Sequence, residues 1–256
     1  MILGGSVSKL VFCSGLPRSG STWSYNVCRI LLEAVYGEER VAKGYVGERQ
    51  AVEALLFGKD QKNLRAAAGR DIILIKFHYP TPRLFDLVAT GQALNVYTLR
   101  NPLTALASCM EFFNASFNTA LSDIVSNLQA MEEWRRHEGT LVVHHDDIIA
   151  APDGQIRRIA AHLGLEVDEE QLRQCAEATS YEAMKRLSQE MASWPQERLT
   201  RLPNHTFDPV TLLHVGHVSK GKSRDWREQL TPDQIETARR VLRPWLDEDA
   251  ARSPAS

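Results

Sequence analysis

A short apolar run leads directly into a turn of glycine and hydroxyl residues, and a helical pattern follows. The run is Leu10-Val11-Phe12-Cys13, the turn is Gly15-Leu16-Pro17-Arg18-Ser19-Gly20-Ser21-Thr22-Trp23, and helical periodicity extends over Ser24–Tyr36. A turn of this composition between a strand and a helix directs backbone N–H groups and the positive end of the helix dipole at one point. The sequence therefore predicts an anion site, most naturally for phosphate, in a fold that places a helix directly after a strand.

The turn has the outline of a P-loop, in which the second of two spaced glycines is followed by Lys and then Ser or Thr. Gly15 and Gly20 have the required spacing, and Thr22 supplies the hydroxyl. However, Ser21 occupies the position where a nucleotide hydrolase needs Lys, and Arg18 is the sole cation of the turn. We therefore expect a site for phosphate-like groups that is poorly suited to ordinary ATP chemistry.

Apolar runs that alternate with helical patterns predict an α/β fold. Four runs are typical of buried strands in a parallel sheet: Leu10–Ser14, Ile72–Phe77, Leu94–Leu99 and Leu141–His144. The helical patterns cover Ser24–Tyr36, Leu103–Phe113, Ala120–Arg136, Ile156–Leu163, Glu169–Ala178, Tyr181–Ser188 and Pro232–Leu242. This order predicts three layers, with a central, mostly parallel sheet flanked by helices. We expect one domain over residues 1–256 with a frayed tail at 247–256, while segments 41–71 and 188–218 carry no clear pattern.

The charge balance restricts the class of partner. Lys and Arg total 30 against 32 Asp and Glu, which gives a formal net charge of −2. This value argues against a nucleic-acid-binding surface and a polybasic membrane anchor. Four cysteines without a CxxC pair fit a reduced compartment, and no apolar run approaches the length of a membrane span. We therefore expect a cytoplasmic protein that recognises anions through a few placed residues.

A second group of basic residues lies at the end of the second predicted strand, in Lys76-Phe77-His78-Tyr79-Pro80. Because side chains alternate along a strand, Lys76 and His78 share one side. Open α/β sheets bind ligands outside the carboxyl ends of their strands. Taken alone, the pair is more typical of a solvated Lys beside a structural His. Next to a phosphate loop, a role in the site is favoured.

The third predicted strand ends at Leu99-Arg100-Asn101-Pro102. Asn101 can cap the next helix and Pro102 suits its first position, so Arg100 lies at the same sheet edge. Ser108, two turns further along that helix, can face the same crevice. A surface ion pair is the alternative role for Arg100.

Together, the segments resemble the sulfotransferases that use 3′-phosphoadenosine 5′-phosphosulfate, especially the cytosolic type that acts on small molecules. Five segments in the family's order carry the resemblance over nearly the whole chain. They are Pro17–Trp23, similar to the phosphosulfate loop; Lys76–Pro80, similar to a Lys-x-His-x-Pro segment; Arg100 with Ser108; Thr179-Ser180-Tyr181; and Lys220-Gly221 with Asp225-Trp226.

The resemblance implies sulfuryl transfer from this donor to a hydroxyl of a small organic acceptor, which leaves 3′,5′-adenosine bisphosphate and requires no metal. It implies His78 as the general base, with Lys76 and Arg18 stabilising the charge that develops on the bridging and leaving oxygens. The implied donor-binding residues are Arg18, Ser19, Gly20, Ser21 and Thr22 at the 5′-phosphate, Trp23, Thr179 and Tyr181 near the adenine, and Arg100, Ser108, Lys220 and Gly221 at the 3′-phosphate. We expect a monomer or a weak homodimer.

The chain departs from the family's pattern near the donor, where Arg224 replaces the second Gly of the Lys220-Gly221 loop, and at two further positions. Ser219 stands where the family usually has Arg, with Lys222 as the candidate replacement. His145 stands where relatives often have a Tyr near the adenine. The run His144-His145-Asp146-Asp147 suggests a metal site, but adjacent residues on a strand point in opposite directions and do not converge on one ion.

Two other functions stay open at this level. A P-loop kinase or ATPase shares the loop outline, and Ser21 in place of Lys counts against it. A catalytically idle nucleotide-binding protein shares the scaffold, and the intact Lys76 and His78 count against that.

Overall fold

A computed structural model describes residues 9–46, 71–202, 205–216 and 225–252. The main strands are β1 Lys9–Gly15, β2 Val41–Val46, β3 Ile72–Phe77, β4 Ala93–Leu99 and β5 Thr140–His144. They form one parallel sheet in the order β2-β3-β1-β4-β5. The four predicted strands are confirmed to within one residue at each end. The fifth, β2, lies in the segment for which the sequence showed no clear pattern.

Helices connect the strands and continue after the sheet. They are α1 Ser21–Tyr36, α2 Pro82–Ala89, α3 Pro102–Phe113, α4 Phe117–Arg135, α5 His145–Ala150, α6 Pro152–His162, α7 Glu169–Thr179, α8 Tyr181–Glu190, α9 Trp226–Gln229 and α10 Pro232–Arg252. A small antiparallel pair, β6 Thr200–Leu202 and β7 His205–Phe207, follows α8. The seven predicted helices are confirmed with shifted ends. Residues 247–252, predicted to fray, continue α10, where Arg243 and Asp247 form an exposed ion pair one turn apart.

The helices cover both faces of the sheet and produce two hydrophobic cores. Successive strand residues point to opposite faces. Phe12 and Tyr97 therefore enter one core with α2, α3, α4 and α10, and Val11 and Val96 enter the other with α1, α6 and α7. The predicted three-layer α/β architecture is confirmed.

The end of β1 approaches β4 so closely that only glycine fits there. A Cβ added at Gly15 would lie 2.2 Å from Thr98 Oγ1 and 2.8 Å from the Thr98 carbonyl oxygen. The next residue, Leu16, donates its backbone N–H to the same carbonyl at 2.9 Å. The loop after β1 is therefore attached at its root to the neighbouring strand.

Within the described ranges, no helix is both long enough and apolar enough to cross a membrane. All four cysteines are buried free thiols. The assignment of residues 1–256 to one domain stays a prediction.

Candidate active site

The loop between β1 and α1 leaves a helix N-terminus open toward the carboxyl edge of the sheet. Gly20 precedes α1 with a φ of +96° and without a side-chain cap, and the first helical bond runs from the Ser24 N–H to the Gly20 carbonyl at 3.1 Å. The N–H groups of Ser21, Thr22 and Trp23 consequently have no intrahelical acceptor. The first turn carries no acidic residue. These features fit an anion at the predicted position.

Ser19 holds the loop to the sheet instead of presenting its hydroxyl at the surface. Its side chain is fully buried. Its Oγ lies 2.6 Å from the Leu16 carbonyl, 2.9 Å from the Thr98 carbonyl and 2.7 Å from Thr98 Oγ1. Its backbone N–H is also committed, to the Leu16 carbonyl at 3.2 Å. Ser19 therefore holds the loop in shape, and the amides from Ser21 onward form the N-terminus of α1.

Two arginines contact each other beside this loop. Arg18 adopts a φ of +67°, which is uncommon for a residue other than glycine. Its Nε donates to Ser108 Oγ at 3.1 Å, and its guanidinium lies 4.4 Å from the centre of the Phe112 ring. Arg100 donates to the Arg18 carbonyl at 3.2 Å. Arg18 and the pair Arg100 and Ser108, which belong to two separate segments of the sequence, lie together.

Burial lowers the pKa of both arginines. For Arg18 the charge of Arg100 lowers the pKa further, while Asp146 opposes the shift at Arg100. Two partly desolvated cations held side by side repel each other, and a multiply charged anion between them would remove that repulsion.

Lys76 is the last residue but one of β3, and His78 is the first residue after the strand. Lys76 is only 5% exposed, and burial, reinforced by the charge of Arg18, lowers its pKa to about 8. His78 Nδ1 lies 2.8 Å from the Gly15 carbonyl oxygen. Because a carbonyl only accepts, Nδ1 carries the proton and Nε2 keeps its lone pair. Burial and the nearby Lys76 lower the pKa of His78 to about 3, so the imidazole is neutral at physiological pH.

The strand alternation expected for His144-His145-Asp146-Asp147 is wrong. Only His144 belongs to β5, and α5 begins at His145, with two aspartates in its first turn. Acidic residues are favourable at this helix end, which explains the early start. His145 lies against the phosphate loop, since a Cβ on Gly20 would be 3.6 Å from its Cδ2. Burial and Arg100 lower the pKa of His145 to about 4. The described part of the chain contains no cluster of three or more His, Cys, Asp or Glu residues placed for a metal ion.

The residues predicted near the adenine are less clearly assembled. Trp23 is buried in the core on the α1 face. The Thr179 hydroxyl is buried and donates to the Cys175 carbonyl at 2.8 Å. Tyr181 is 36% exposed, and the Lys185 ammonium lies 5.5 Å from its ring centre. Lys220 and Gly221, with Ser219 and Lys222, lie outside the described residues.

A pocket of about 250 Å³ opens beside His78, and the sequence reasoning did not find it. Tyr79 and Phe85 line one side, and Asn127, Ala130 and Glu133 of α4 line the other. One signal was available in the sequence. Asn127 interrupts the apolar face of α4, and it is 2% exposed between buried Ile124 and Met131.

The fold is that of known sulfotransferases. The chain superposes on mouse sulfotransferase SULT7A1 complexed with PAP at a TM-score of 0.63 and 15% identity, over 94% of this chain and 85% of that chain. For retinol dehydratase in a complex with retinol and PAP, the TM-score is 0.61 and the identity 18%, over 98% of this chain and 85% of that chain. Identities this low establish the likeness of the fold alone.

A family model places the chain within this class. The model of the sulfotransferase domain matches residues 8–250, and the chain therefore belongs to the sulfotransferase domain family. The family and the enzyme class predicted from the motifs are confirmed. Among curated proteins, none matches the chain significantly.

Proposed function

We propose that this protein transfers a sulfuryl group from 3′-phosphoadenosine 5′-phosphosulfate to a hydroxyl of a small organic acceptor. The observation that carries the proposal is the His78 imidazole. Its Nδ1 proton is held by the Gly15 carbonyl at 2.8 Å, and it lies beside the buried Lys76 and the loop before α1. A neutral imidazole with a fixed tautomer is prepared to accept a proton at Nε2.

The donor would bind along the sheet edge through its charged groups. The amides of Ser21, Thr22 and Trp23 suit the 5′-phosphate end, together with Arg18 and the glycine at position 20. Arg100 and Ser108 suit the 3′-phosphate, with Lys220 and Gly221 proposed to complete that contact. Trp23, Thr179 and Tyr181 are the proposed adenine contacts. The PAP present in the similar solved structures supports this choice of donor.

The chemistry assigned to the protein is proton transfer and charge stabilisation. His78 Nε2 takes the hydroxyl proton of the acceptor as the oxygen attacks sulfur. Lys76 and Arg18 stabilise the negative charge that develops on the bridging oxygen as 3′,5′-adenosine bisphosphate leaves. By analogy with phosphoryl transfer, positioning and electrostatic stabilisation provide most of the rate acceleration.

Replacement of His78 tests the proposal. His78→Ala should lower turnover with a hydroxyl acceptor by about 10²–10⁴-fold while the affinity for 3′,5′-adenosine bisphosphate stays close to that of the wild type. His78→Asn is the matched variant, because its amide can keep the hydrogen bond to the Gly15 carbonyl but supplies no basic nitrogen. Turnover and bisphosphate affinity are measured by product formation and calorimetry. Full turnover in either variant would remove the base assignment.

A further inference from the structure

The pocket beside His78 offers fixed hydrogen-bond acceptors to a bound molecule. Its volume is about 250 Å³, whereas a cavity of roughly 150 Å³ is enough for benzene. The pocket therefore suits a compact acceptor built on about one ring. His78 lines one wall, and its Nε2 lone pair is an acceptor because Nδ1 holds the proton.

Asn127 on the opposite wall has a buried oxygen without a hydrogen-bond partner among the described residues. The orientation of its amide is determined by its neighbours, since Nδ2 donates to the Asp123 carbonyl at 2.9 Å. Its backbone carbonyl accepts the Tyr97 hydroxyl at 3.0 Å, which fixes this turn of α4 against β4. The remaining Oδ1 is an acceptor on a side chain that cannot easily rotate. A buried acceptor of this kind is costly unless a donor reaches it.

Glu133, one turn and a half further along α4, already has a cationic partner in Arg136. It forms an ion pair with Arg136, and His137 Nε2 lies 3.6 Å from its other oxygen. Its charge is therefore compensated without a ligand, and the pocket does not require a cation. A neutral donor, a hydroxyl, fits this charge balance better than an ammonium group.

We infer that the natural acceptor is a compact molecule with two hydroxyls, of which one is sulfated at His78 and the other donates to Asn127 Oδ1. This inference rests on the proposed function and makes it more specific. Asn127 then determines specificity, because a molecule with only the reacting hydroxyl leaves its buried oxygen unmatched. Sites that hydrogen-bond a substrate hydroxyl discriminate strongly against analogues that lack it.

The test compares matched acceptors with one and two hydroxyls, phenol with resorcinol and cyclohexanol with cyclohexane-1,3-diol. In at least one of the two pairs, we expect kcat/KM of the wild-type protein to be at least about tenfold higher for the diol than for the matched compound with one hydroxyl. In Asn127→Leu, kcat/KM for the diol should fall and the ratio should approach one. The control is Asn118→Leu, the same change in the exposed first turn of α4, which should keep the wild-type ratio. Binding of 3′,5′-adenosine bisphosphate reports whether each variant is folded.

Each outcome has a separate meaning. Transfer to no hydroxyl compound, with bisphosphate binding intact, would overturn the proposed function itself. Equal kcat/KM for both members of each pair would overturn only the assignment of a diol, and this wild-type measurement does not depend on the folding of the variant. If the protein prefers an amino alcohol to the diol and Glu133→Gln abolishes this preference, the second group of the acceptor is an ammonium group, and the assignment of a diol is wrong.

Discussion

Because burial changes the charge state of Lys76, it should also change the rate of the proposed transfer reaction. Free lysine holds its proton well beyond neutral pH, but burial lowers the pKa of Lys76 to about 8. Below that pH the ammonium is charged and can stabilise a leaving oxygen. Above it, the neutral amine is favoured because the side chain is only 5% exposed. His78 does not limit the same range, because its pKa of about 3 keeps it neutral.

The pH dependence of kcat/KM for the donor tests this assignment. With a saturating aliphatic alcohol, which does not titrate, we expect kcat/KM to fall about tenfold per pH unit above the Lys76 pKa of about 8. The arginine of the Lys76→Arg variant keeps its charge throughout this pH range. The kcat/KM of that variant, although lower than that of the wild type, should therefore show no such fall. The measurements start at pH 7, where the donor phosphate is already ionised. An identical alkaline fall in Lys76→Arg would assign the titration to another group.

Gly15 shows how one residue positions a whole loop at the scale of the element. Its missing side chain allows β1 to meet Thr98 of β4, and its carbonyl holds His78. Ser19 then bonds to the same threonine. The strand end, the phosphate loop and the proposed base therefore depend on one close approach between two strands.

Gly15→Ala should disturb this arrangement. The added Cβ would lie 2.2 Å from Thr98 Oγ1 and 2.8 Å from backbone oxygen, so the strands must move apart. We expect the free energy of unfolding to fall by about 1–3 kcal/mol or more, together with weaker binding of 3′,5′-adenosine bisphosphate. Gly154→Ala in α6 is the control. Its Cβ would meet only the Ala151 Cβ at 3.9 Å, and it should stabilise by about 0.5–1 kcal/mol. Urea denaturation compares the two, and equal unfolding midpoints would contradict the proposed strain.

The elements that the sequence predicted well are those with uniform patterns. The four buried strands are runs dominated by apolar residues, and their ends are correct to within one residue. Strand β2 was missed because Lys43 and Gly44 interrupt its run at the edge of the sheet, where burial on both faces is not required. The short helix α5 was missed because its six residues are too few to show periodicity.

In the site, too, contacts within one segment were predictable, whereas contacts between segments were not. The proximity of residues within one segment, such as Lys76 and His78, is predictable from that segment alone. The bond from His78 to the Gly15 carbonyl and that from Ser19 to Thr98 join different strands. Such contacts depend on the order of strands in the sheet, which local patterns do not contain. Asn127 was detectable only as a polar residue on an apolar helix face, and that signal does not reveal a pocket.

At the scale of the whole molecule, the site lies where three neighbouring strands end. The order β3-β1-β4 brings Lys76 and His78, the phosphate loop and Arg100 to one edge of the sheet. The phosphate loop leads into α1 on one face of the sheet, whereas β3 and β4 lead into α2 and α3 on the other. A ligand that contacts all three strand ends therefore binds the native arrangement and has little affinity for the unfolded chain.

Ligand binding should consequently raise the midpoint of thermal unfolding. At a concentration of 100 times its Kd, a ligand of the folded state adds about 2.7 kcal/mol. For a chain of this size, 2–4 °C per kcal/mol gives a rise of roughly 5–10 °C with 3′,5′-adenosine bisphosphate. We expect no requirement for Mg²⁺, because Arg18, Arg100 and Lys76 supply the positive charge.

The contribution of the 3′-phosphate to stabilisation distinguishes binding of the proposed donor from general nucleotide binding. Adenosine 5′-monophosphate at the same concentration lacks that phosphate and should raise the midpoint by less than half as much. Arg100→Ala removes a partly buried guanidinium that lies against the Arg18 carbonyl at 3.2 Å, and the loss of a charged hydrogen bond is worth about 1.5–3 kcal/mol. In that variant the bisphosphate should stabilise no more than the monophosphate does. Equal rises in the unfolding midpoint with both nucleotides in the wild-type protein would mean that Arg100 does not bind the 3′-phosphate. The donor assignment would then have to be changed.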